Sequence, residues 1–290
     1  MRDLTPELLE LVRFTSTNLP PDAEKVLREA WTREEPGSAA YNAFETILKN
    51  VEMTRRNSTP ICQDTGTPIF FVRYPEDWSP RQLRAQIRAA VAEATQKTYL
   101  RPNAVDSLNG KNTGNNLGDR HFPTIHFEEV DGEPLTIELI LKGGGCENVG
   151  AQYSLPNDRL KAGRDLEGVR RVVLDAVWQA QGEGCAPGFL GISIGGDRGT
   201  SYVASKEALL RQVADANLDA GLADLEQRIT REANQLGIGP MGFGGAATVL
   251  GSKITTTYRL PASFFVTVSY MCWAYRRRKL TVQADQVIYE

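Results

Sequence analysis

The sequence predicts a mixed α/β protein in which helices pack around central β-sheets. Segments with apolar residues every three or four positions, typical of amphipathic helices, occur in both halves of the chain. Short runs rich in β-branched and aromatic residues alternate with them and become frequent towards the C-terminus. Turn-forming glycines and prolines separate these runs. A chain of 290 residues can bury a large core, as one large domain or two smaller ones.

Charge and hydropathy argue against several classes of protein. The formal net charge is −3, with 33 basic and 36 acidic side chains, which is unlike the basic character of most nucleic-acid binders. No apolar run approaches the roughly 20 residues that a transmembrane helix needs. The first residues are polar and acidic with no apolar segment behind them, which argues against a secretory signal. We therefore expect a cytoplasmic protein in a reducing compartment that binds neither nucleic acid nor membrane.

The chain as far as about residue 58 predicts a layer of helices. Thr5 is expected to cap the first helix, with Pro6 at its first position. A second helix is expected to end at the turn formed by residues 35–38. Residues 39–51 predict a third helix because their apolar side chains fall on one face.

Residues 60–67 place a thiol, a carboxamide, a carboxylate and a hydroxyl in consecutive positions, from Cys62 through Gln63 and Asp64 to Thr65. The run lacks the apolar content of a core strand and the period of a helix, so it predicts a loop. A loop that carries a thiol beside a carboxylic acid could supply a metal ligand and a proton donor. The alternative is a turn with an Asx cap and a buried cysteine.

A strand and a long helix are predicted after this loop. Residues 69–74 are rich in strand-forming side chains, and a helix is expected from Pro80 to about Thr98. This helix leads to Arg101, which precedes a proline. An arginine at a helix exit is well placed to meet an anion, although most such arginines are simply solvated.

Two further strands, at residues 124–130 and 135–141, are predicted to form a hairpin through Asp131 and Gly132. The second of them alternates apolar and polar side chains and runs into Lys142 and three glycines, residues 143–145. Backbone N–H groups without side chains at a strand end can form an anion or oxyanion cradle. The alternative is a flexible turn.

The rest of the chain predicts helices first and strands last. Helices are expected at residues 164–181, 200–211 and 222–236, and strands at 189–194, 247–250, 254–258, 264–270 and 280–289. The glycines of residues 237–242 match the dinucleotide-binding fingerprint in form. We reject that interpretation, because the segment follows a helix rather than a strand and contains Pro240.

Three of the four cysteines, Cys62, Cys185 and Cys272, lie at the ends of predicted elements in polar or Gly/Pro-rich surroundings. None belongs to a Cys-x-x-Cys pair, which argues against a zinc ribbon or a thioredoxin motif. Three widely spaced thiolates suit a [4Fe–4S] cluster that keeps one iron unligated by protein. The alternative is a set of buried structural cysteines. The two histidines, His121 and His126, are too few for a histidine metal site.

With these motifs the chain resembles the α subunit, or N-terminal region, of the class I iron–sulfur fumarate hydratases and their L-tartrate dehydratase relatives. The resemblance runs from the first helices to the C-terminus. It is carried by five motifs, which are Pro-Ile-Cys-Gln-Asp-Thr-Gly at 60–66, Lys-Asn-Thr-Gly at 111–114, Lys-Gly-Gly-Gly at 142–145, Cys-x-Pro with its following strand at 185–196, and Cys-Trp-Ala-x-Arg-Arg at 272–277.

The resemblance implies a single hydro-lyase α-subunit domain over residues 1–290, with a helical layer to about 58 and a mixed α/β part from 59. It implies that a [4Fe–4S] cluster with an open iron acts as a Lewis acid in the reversible hydration of fumarate to L-malate. The implied site residues are cluster ligands (Cys62, Cys185, Cys272), catalytic groups (Gln63, Asp64, Arg101) and substrate contacts (Lys142, Gly144, Gly145). The base would come from a β subunit, and the implied assembly contains a dimer of α subunits, α2β2.

Two positions depart from the family's pattern. Cys146 stands where fumarate hydratases often have serine and where tartrate dehydratases can have cysteine. Leu260 stands where relatives commonly carry a histidine that reaches a neighbouring active site. An L-tartrate dehydratase and a non-catalytic cluster-binding protein therefore remain as alternatives to the fumarate hydratase.

Overall fold

The computed structural model describes residues 2–284 and 286–290. These residues form helices and two mixed β-sheets, which confirms the predicted mixed α/β class. The elements, in chain order, are α1 (Thr5–Thr17), α2 (Pro21–Trp31), α3 (Ala39–Asn57), β1 (Thr67–Tyr74), α4 (Pro80–Gln96), β2 (Thr124–Glu129), β3 (Leu135–Lys142), α5 (Gly144–Asn148), β4 (Ala151–Ser154), α6 (Leu166–Ala180), β5 (Gly188–Ile194), α7 (Arg198–Ala208), α8 (Ala220–Asn234), β6 (Val249–Thr256), β7 (Phe265–Met271), β8 (Arg277–Gln283) and β9 (Gln286–Tyr289).

The chain divides into two compact units, each assembled from separate stretches of sequence. Unit 1 comprises the residues up to Pro20, Lys49–Gly144 and Arg276–Glu290. Unit 2 comprises Pro21–Leu48 and Gly145–Tyr275. The predicted division into a helical layer and a later mixed part stays a prediction.

Helices α1, α2 and α3 lie in the predicted regions, but their first or last residues differ from the predicted ones. Leu4 occupies the N-cap position of α1 and makes no side-chain capping hydrogen bond, so the prediction that Thr5 caps the helix is wrong. The Thr5 hydroxyl instead donates to Asp3 Oδ1 at 2.7 Å, and that local bond outcompetes the cap. Helix α2 ends at Trp31, before the predicted turn, and α3 continues beyond residue 51 to Asn57.

The sheet of unit 1 has the strand order β2-β1-β3-β8-β9. Strand β1 runs parallel to β2 and antiparallel to β3, so it lies between the two strands that were predicted to pair as a hairpin. The hairpin prediction is therefore wrong. The physical reason is that β1 is buried along most of its length, as its apolar residues require, and burial is greatest at the centre of a sheet.

One face of this sheet forms the hydrophobic core of unit 1. The alternating residues of β3, Leu135, Ile137, Leu139 and Leu141, are all buried, as their spacing predicts. Helices α1 and α4 contribute their apolar faces to the same cluster. Ser79 caps α4 by accepting a hydrogen bond from the Gln82 N–H.

The sheet of unit 2 has the strand order β4-β7-β5-β6, with β5 antiparallel to β7 and parallel to β6. Strand β5 is buried over its whole length, as its continuous apolar run predicts. Helix α7 packs directly on it, because a Cβ at Gly191 would lie 2.0 Å from the Ser205 carbonyl oxygen. The two strands predicted at residues 247–258 form one strand, β6.

Aspartates cap three helices of unit 2. Asp165, Asp197 and Asp219 accept backbone hydrogen bonds at the N-termini of α6, α7 and α8. Helix α7 therefore begins at Arg198, two residues before the start predicted at residue 200. Leu166, the first residue of α6, is exposed.

The last predicted strand, at residues 280–289, is divided between β8 and β9 around Asp285, which lies outside the described residues. Within the part of the chain that the structure describes, no helix is long and apolar enough to cross a bilayer.

Candidate active site

Hydrogen bonds to helices of unit 1 fix the loop that carries Cys62, Gln63 and Asp64. The Ile61 N–H donates to the Ser16 carbonyl oxygen at 3.0 Å, and Asn50 Nδ2 donates to the Ile61 carbonyl oxygen at 2.9 Å. The loop therefore enters the site from a position fixed by α1 and α3. The prediction of a loop here is confirmed, since these residues belong to no helix or strand.

Backbone N–H groups hold both oxygens of the Asp64 carboxylate. Oδ1 accepts from the Gly66 N–H at 3.0 Å, and Oδ2 accepts from the Gly144 N–H at 2.7 Å. A Cβ at Gly143 would lie 2.9 Å from Oδ2, so only glycine lets the backbone approach this closely. The glycine turn predicted after β3 thus already binds a side chain, that of the chain's own Asp64.

A buried arginine donates a hydrogen bond to the main chain of the same loop. Arg276 is 1% exposed, and its Nη1 donates to the Asp64 carbonyl oxygen at 2.7 Å. Its Nε has no hydrogen-bond partner among the described residues. The direction of Asp64 is therefore set at its side chain by glycines and at its main chain by a guanidinium group.

A cavity of about 350 Å³ in unit 1 opens beside this loop. Cys62, Gln63 and Arg101 line it together with Pro60, Thr65, Thr95, Thr98, Leu100 and Pro102. Cys62 is half-buried, whereas Gln63 and Arg101 are exposed. The volume lies at the lower end of the range that small-molecule sites occupy, roughly 300–1,000 Å³. The structure thus brings together a thiol, a carboxamide and a guanidinium group at a concave site that can take a small anion.

The other predicted substrate contacts differ in exposure. Lys142, at the end of β3, is 2% exposed and faces Thr67 across the sheet. Gly144 and Gly145 are exposed, and the N–H of Gly144 is already bonded to Asp64. The roles proposed for Lys142, Gly144 and Gly145 stay predictions.

The remaining cysteines belong to unit 2, where two of them lie on adjoining backbone segments. The Trp273 N–H donates to the Cys185 carbonyl oxygen at 3.3 Å, which places the residue after Cys272 against the Cys185 turn. Cys185 has a φ of +53°, a left-handed conformation that is uncommon for a residue with a side chain. Such backbone conformations are found at functional sites more often than elsewhere.

The Tyr270 ring is buried among the thiols of unit 2. Burial raises the pKa of Tyr270 above its ordinary value, and electrostatic interaction with the side chains of Cys272, Cys146 and Cys185 raises it further. The ring fits because Gly184 and Gly188 leave room for it; a Cβ at Gly188 would lie 2.3 Å from the ring. Unit 2 therefore brings Cys146, Cys185 and Cys272 into the surroundings of one aromatic ring.

The donor set has the chemistry that an iron–sulfur cluster requires. All four cysteines are thiols rather than members of disulfides, and soft thiolates are the ligands of such clusters. Over the described ranges, 2–284 and 286–290, no group of three or more His, Cys, Asp or Glu side chains is arranged around a single metal ion. A cluster does not need such a group, because its cysteines bind different irons. Convergence of Cys62 with the thiols of unit 2 stays a prediction.

Cys146 and Leu260, the two positions that depart from the family's pattern, have opposite environments. Cys146 is buried in α5. Leu260 is 75% exposed in the connection from β6 to β7. The guanidinium of Arg259 donates to the carbonyl oxygens of Leu260, Pro261 and Ser263, so this connection is held by its own hydrogen bonds.

Several buried residues of the site were not among the site residues predicted from the sequence. Thr65, Asn116, Arg276 and Tyr270 are all buried against the predicted site residues or their backbones. The available signals are weak: Thr65 follows Asp64, and Asn116 lies two residues after the Lys-Asn-Thr-Gly motif at 111–114. His126, in strand β2, is stacked on Phe71 of β1 with ring centroids 4.9 Å apart.

Comparison with known proteins identifies the family of sequences that this chain matches. The profile described as fumarate hydratase (Fumerase) matches residues 5–281. A putative class I fumarate hydratase of Geobacillus stearothermophilus is 47% identical over 280 residues, which cover 96% of this chain and 54% of that protein. The chain thus spans about half the length of this relative.

Two relatives match over nearly their whole length. The putative L(+)-tartrate dehydratase subunit alpha of Methanocaldococcus jannaschii is 32% identical over 283 residues, which cover 96% of this chain and 97% of that protein. The L(+)-tartrate dehydratase subunit alpha of Escherichia coli K12 is 32% identical over 288 residues, with coverages of 97% and 91%.

Proposed function

Because the chain belongs to the fumarate hydratase (Fumerase) family, we propose that it is the α part of a hydro-lyase that hydrates fumarate reversibly to L-malate. The observation that carries this proposal is the cavity lined by Cys62, Gln63 and Arg101 beside the fixed carboxylate of Asp64. It combines a soft metal ligand with the polar and cationic groups that a dicarboxylate needs. The 47% identity to a putative class I fumarate hydratase supports fumarate as the substrate.

Cys62, Cys185 and Cys272 would hold a [4Fe–4S] cluster. When bound, the cluster supplies a Lewis acid for the oxygen that is lost or gained. We leave Cys146 out of the ligand set, because a fourth thiolate would close the position that such chemistry needs open. A cluster with thiolate ligands suits a reducing compartment, so the proposal includes a cytoplasmic location.

The chain's own residues would bind the substrate and move one proton. Arg101 presents a planar guanidinium group to the cavity and would bind one substrate carboxylate with two parallel hydrogen bonds. Gln63, which lines the same cavity, would donate to the other end of the substrate. Asp64, fixed in direction by two N–H groups, would give a proton to the departing hydroxyl and take it back from water in the reverse reaction.

A separate β subunit would supply the base that removes the C–H proton. Two observations support this part of the proposal. The chain spans about half of the Geobacillus relative, and the relatives that it matches over nearly their whole length are named as alpha subunits. We propose an α2β2 assembly in which two α subunits form a dimer.

An L-tartrate dehydratase is the second candidate. The observation that favours it is length, because the chain covers 97% and 91% of two tartrate dehydratase alpha subunits. Both substrates are four-carbon dicarboxylates, so the same arginine and carboxylate could serve either. The ratio of kcat/KM for fumarate to that for L-tartrate, measured on one preparation, decides between them.

The test uses the chain assembled anaerobically with its β subunit and follows fumarate loss by ultraviolet absorbance. Asp64→Asn should lower kcat by about 10²–10⁴-fold, the range for a lost general acid. Glu128→Gln, which changes an exposed carboxylate on β2, should leave kcat unchanged. Wild-type kcat in Asp64→Asn, or full activity of an iron-free protein, would contradict the proposal.

A further inference from the structure

The segment that carries Arg101 is held by side chains rather than by a helix or a strand. Residues 101–104 belong to no regular element. The Arg101 N–H donates to Thr65 Oγ1 at 3.1 Å, and the Arg101 carbonyl oxygen accepts from Asn116 Nδ2 at 2.7 Å. Both polar groups of the Arg101 main chain thus depend on two side chains, Thr65 and Asn116.

Asn116 uses its full hydrogen-bonding capacity on this segment and on α4. Its Oδ1 accepts from the N–H groups of Asn103 at 2.7 Å and Ala104 at 3.1 Å. Its Nδ2 donates to Thr95 Oγ1 at 3.0 Å as well as to Arg101. A carboxamide has two acceptor and two donor positions, and all four are occupied in a side chain that is only 2% exposed.

The backbone conformation of Asn116 restricts which residues can occupy this position. Its φ of +57° is left-handed, which asparagine tolerates better than most residues. A buried and fully bonded amide is costly to disturb, because a lost partner leaves polar groups unsatisfied. The hydrogen bonds of Asn116 therefore fix the main-chain conformation of residues 101–104.

Thr65 connects this segment to the proton donor. Its hydroxyl accepts from Asn103 Nδ2 at 3.0 Å in addition to the Arg101 N–H, and it is 1% exposed. Thr65 directly follows Asp64, whose carboxylate is bonded to Gly144. One dipeptide, Asp64–Thr65, thus fixes both the carboxylate and the main chain behind the guanidinium group.

We propose that Thr65 and Asn116 are positioning residues for Arg101, acting together to set the place of its guanidinium group relative to Asp64 for a dicarboxylate substrate. This inference rests on the proposed function. Neither residue needs to touch the substrate. Their effect passes through Arg101, so their removal should matter only while Arg101 is present. A displacement of about 1 Å in such a group can cost about 100-fold in rate.

The test is a double-mutant cycle on the complex of the chain with its β subunit. Thr65→Val keeps the shape of the side chain but removes the acceptor, and should lower kcat/KM by about 10–100-fold. Thr65→Ser keeps the hydroxyl and should stay within about threefold of the wild type. In an Arg101→Ala background, Thr65→Val should have almost no further effect on kcat/KM.

Two variants of Asn116 test its role in the same way as the Thr65 variants do. Asn116→Asp keeps the acceptor oxygen but replaces the NH₂ group, which donates to Thr95 Oγ1 and to the Arg101 carbonyl oxygen, by a second oxygen, and it should reproduce the loss seen in Thr65→Val. Asn116→Ala removes both, and the aspartate variant keeps the test valid if the alanine variant does not fold. Additive effects of Thr65→Val and Arg101→Ala would show a role independent of Arg101 and would overturn the inference.

Amide hydrogen exchange gives a readout that does not depend on activity. The Arg101 amide should exchange faster in Thr65→Val, and the Asn103 amide should exchange faster in Asn116→Ala, which removes its acceptor, while the Gly144 amide keeps its wild-type rate. A wild-type complex that hydrates no dicarboxylate would overturn the proposed function. Wild-type kcat/KM in Thr65→Val would overturn the positioning role alone.

Discussion

The glycine that follows the Asp64–Thr65 dipeptide offers a quantitative test of the site's construction. Gly66 has a φ of +80°, and a Cβ there would lie 2.8 Å from the Lys142 carbonyl carbon and 2.9 Å from that of Leu141. These are backbone atoms of β3, so no side-chain rotation can relieve the clash. Gly37 has a nearly equal φ of +84° but open space where a Cβ would be added. The pair separates the conformational cost from the steric cost.

The expected magnitudes follow from these two geometries. Left-handed backbone costs an alanine about 1–2 kcal/mol, and reduced freedom of the unfolded chain returns about 0.4–1 kcal/mol. Gly37→Ala should therefore lower the free energy of unfolding by about 1 kcal/mol or less. Overpacking adds about 1–3 kcal/mol, so Gly66→Ala should lose about 3 kcal/mol in total.

Urea unfolding of the two variants beside the wild type measures this difference. The transition midpoint should fall much further for Gly66→Ala than for Gly37→Ala, with unchanged slopes. Equal losses in the two variants would refute the reasoning, because only the contact with β3 distinguishes the two glycines. A change of slope in Gly66→Ala would instead show that it alters the compactness of the folded or unfolded state.

Three further predictions concern single side chains. Replacing the buried Arg276 by Met should leave the thermal midpoint within a few degrees, because an apolar side chain avoids the cost of a buried charge, yet lower kcat more than tenfold through lost support of Asp64. Iron content per chain should fall in Cys185→Ser but not in Cys146→Ser, and equal losses would contradict the ligand assignment. A hydrogen bond from a neighbouring arginine lowers the pKa of Glu167 to about 2, so its contribution is complete above about pH 4.5 and is lost as the pH falls through 2. Because Glu167 is 41% exposed, its advantage over Glu167→Gln in unfolding experiments should stay below about 1 kcal/mol and vanish near pH 2.

The sequence predicts local structure well where one period dominates. The alternation of β3 and the continuous apolar run of β5 identify both strands, because burial on one or two faces leaves a direct imprint on composition. Pairing between strands is a different matter. The Asp131–Gly132 turn signal describes four residues, whereas the insertion of β1 between β2 and β3 depends on which strand needs the most burial.

The sequence also predicts the reactive side chains of the site better than the side chains that hold them in place. Cys62, Asp64 and Arg101 stand out because thiol, carboxylate and guanidinium groups can bind metals, transfer protons and bind anions, although each also has purely structural uses in polar loops. Thr65 and Asn116 have many such uses, and only the folded chain shows that their hydrogen bonds all converge on one segment. A side chain that acts through the main chain of another residue leaves no mark in a single sequence.

The position of β8 has a consequence for how the protein is made. This strand pairs with β3, but the ribosome reaches it only after the whole of the 145–275 stretch. At about 5–20 residues per second, β3 waits on the order of ten seconds with one edge unpaired. An unpaired edge is a template for association with other chains, so nascent copies need protection during that interval. Slow translation or crowded expression should therefore reduce the yield of native protein even though the finished sheet conceals that edge.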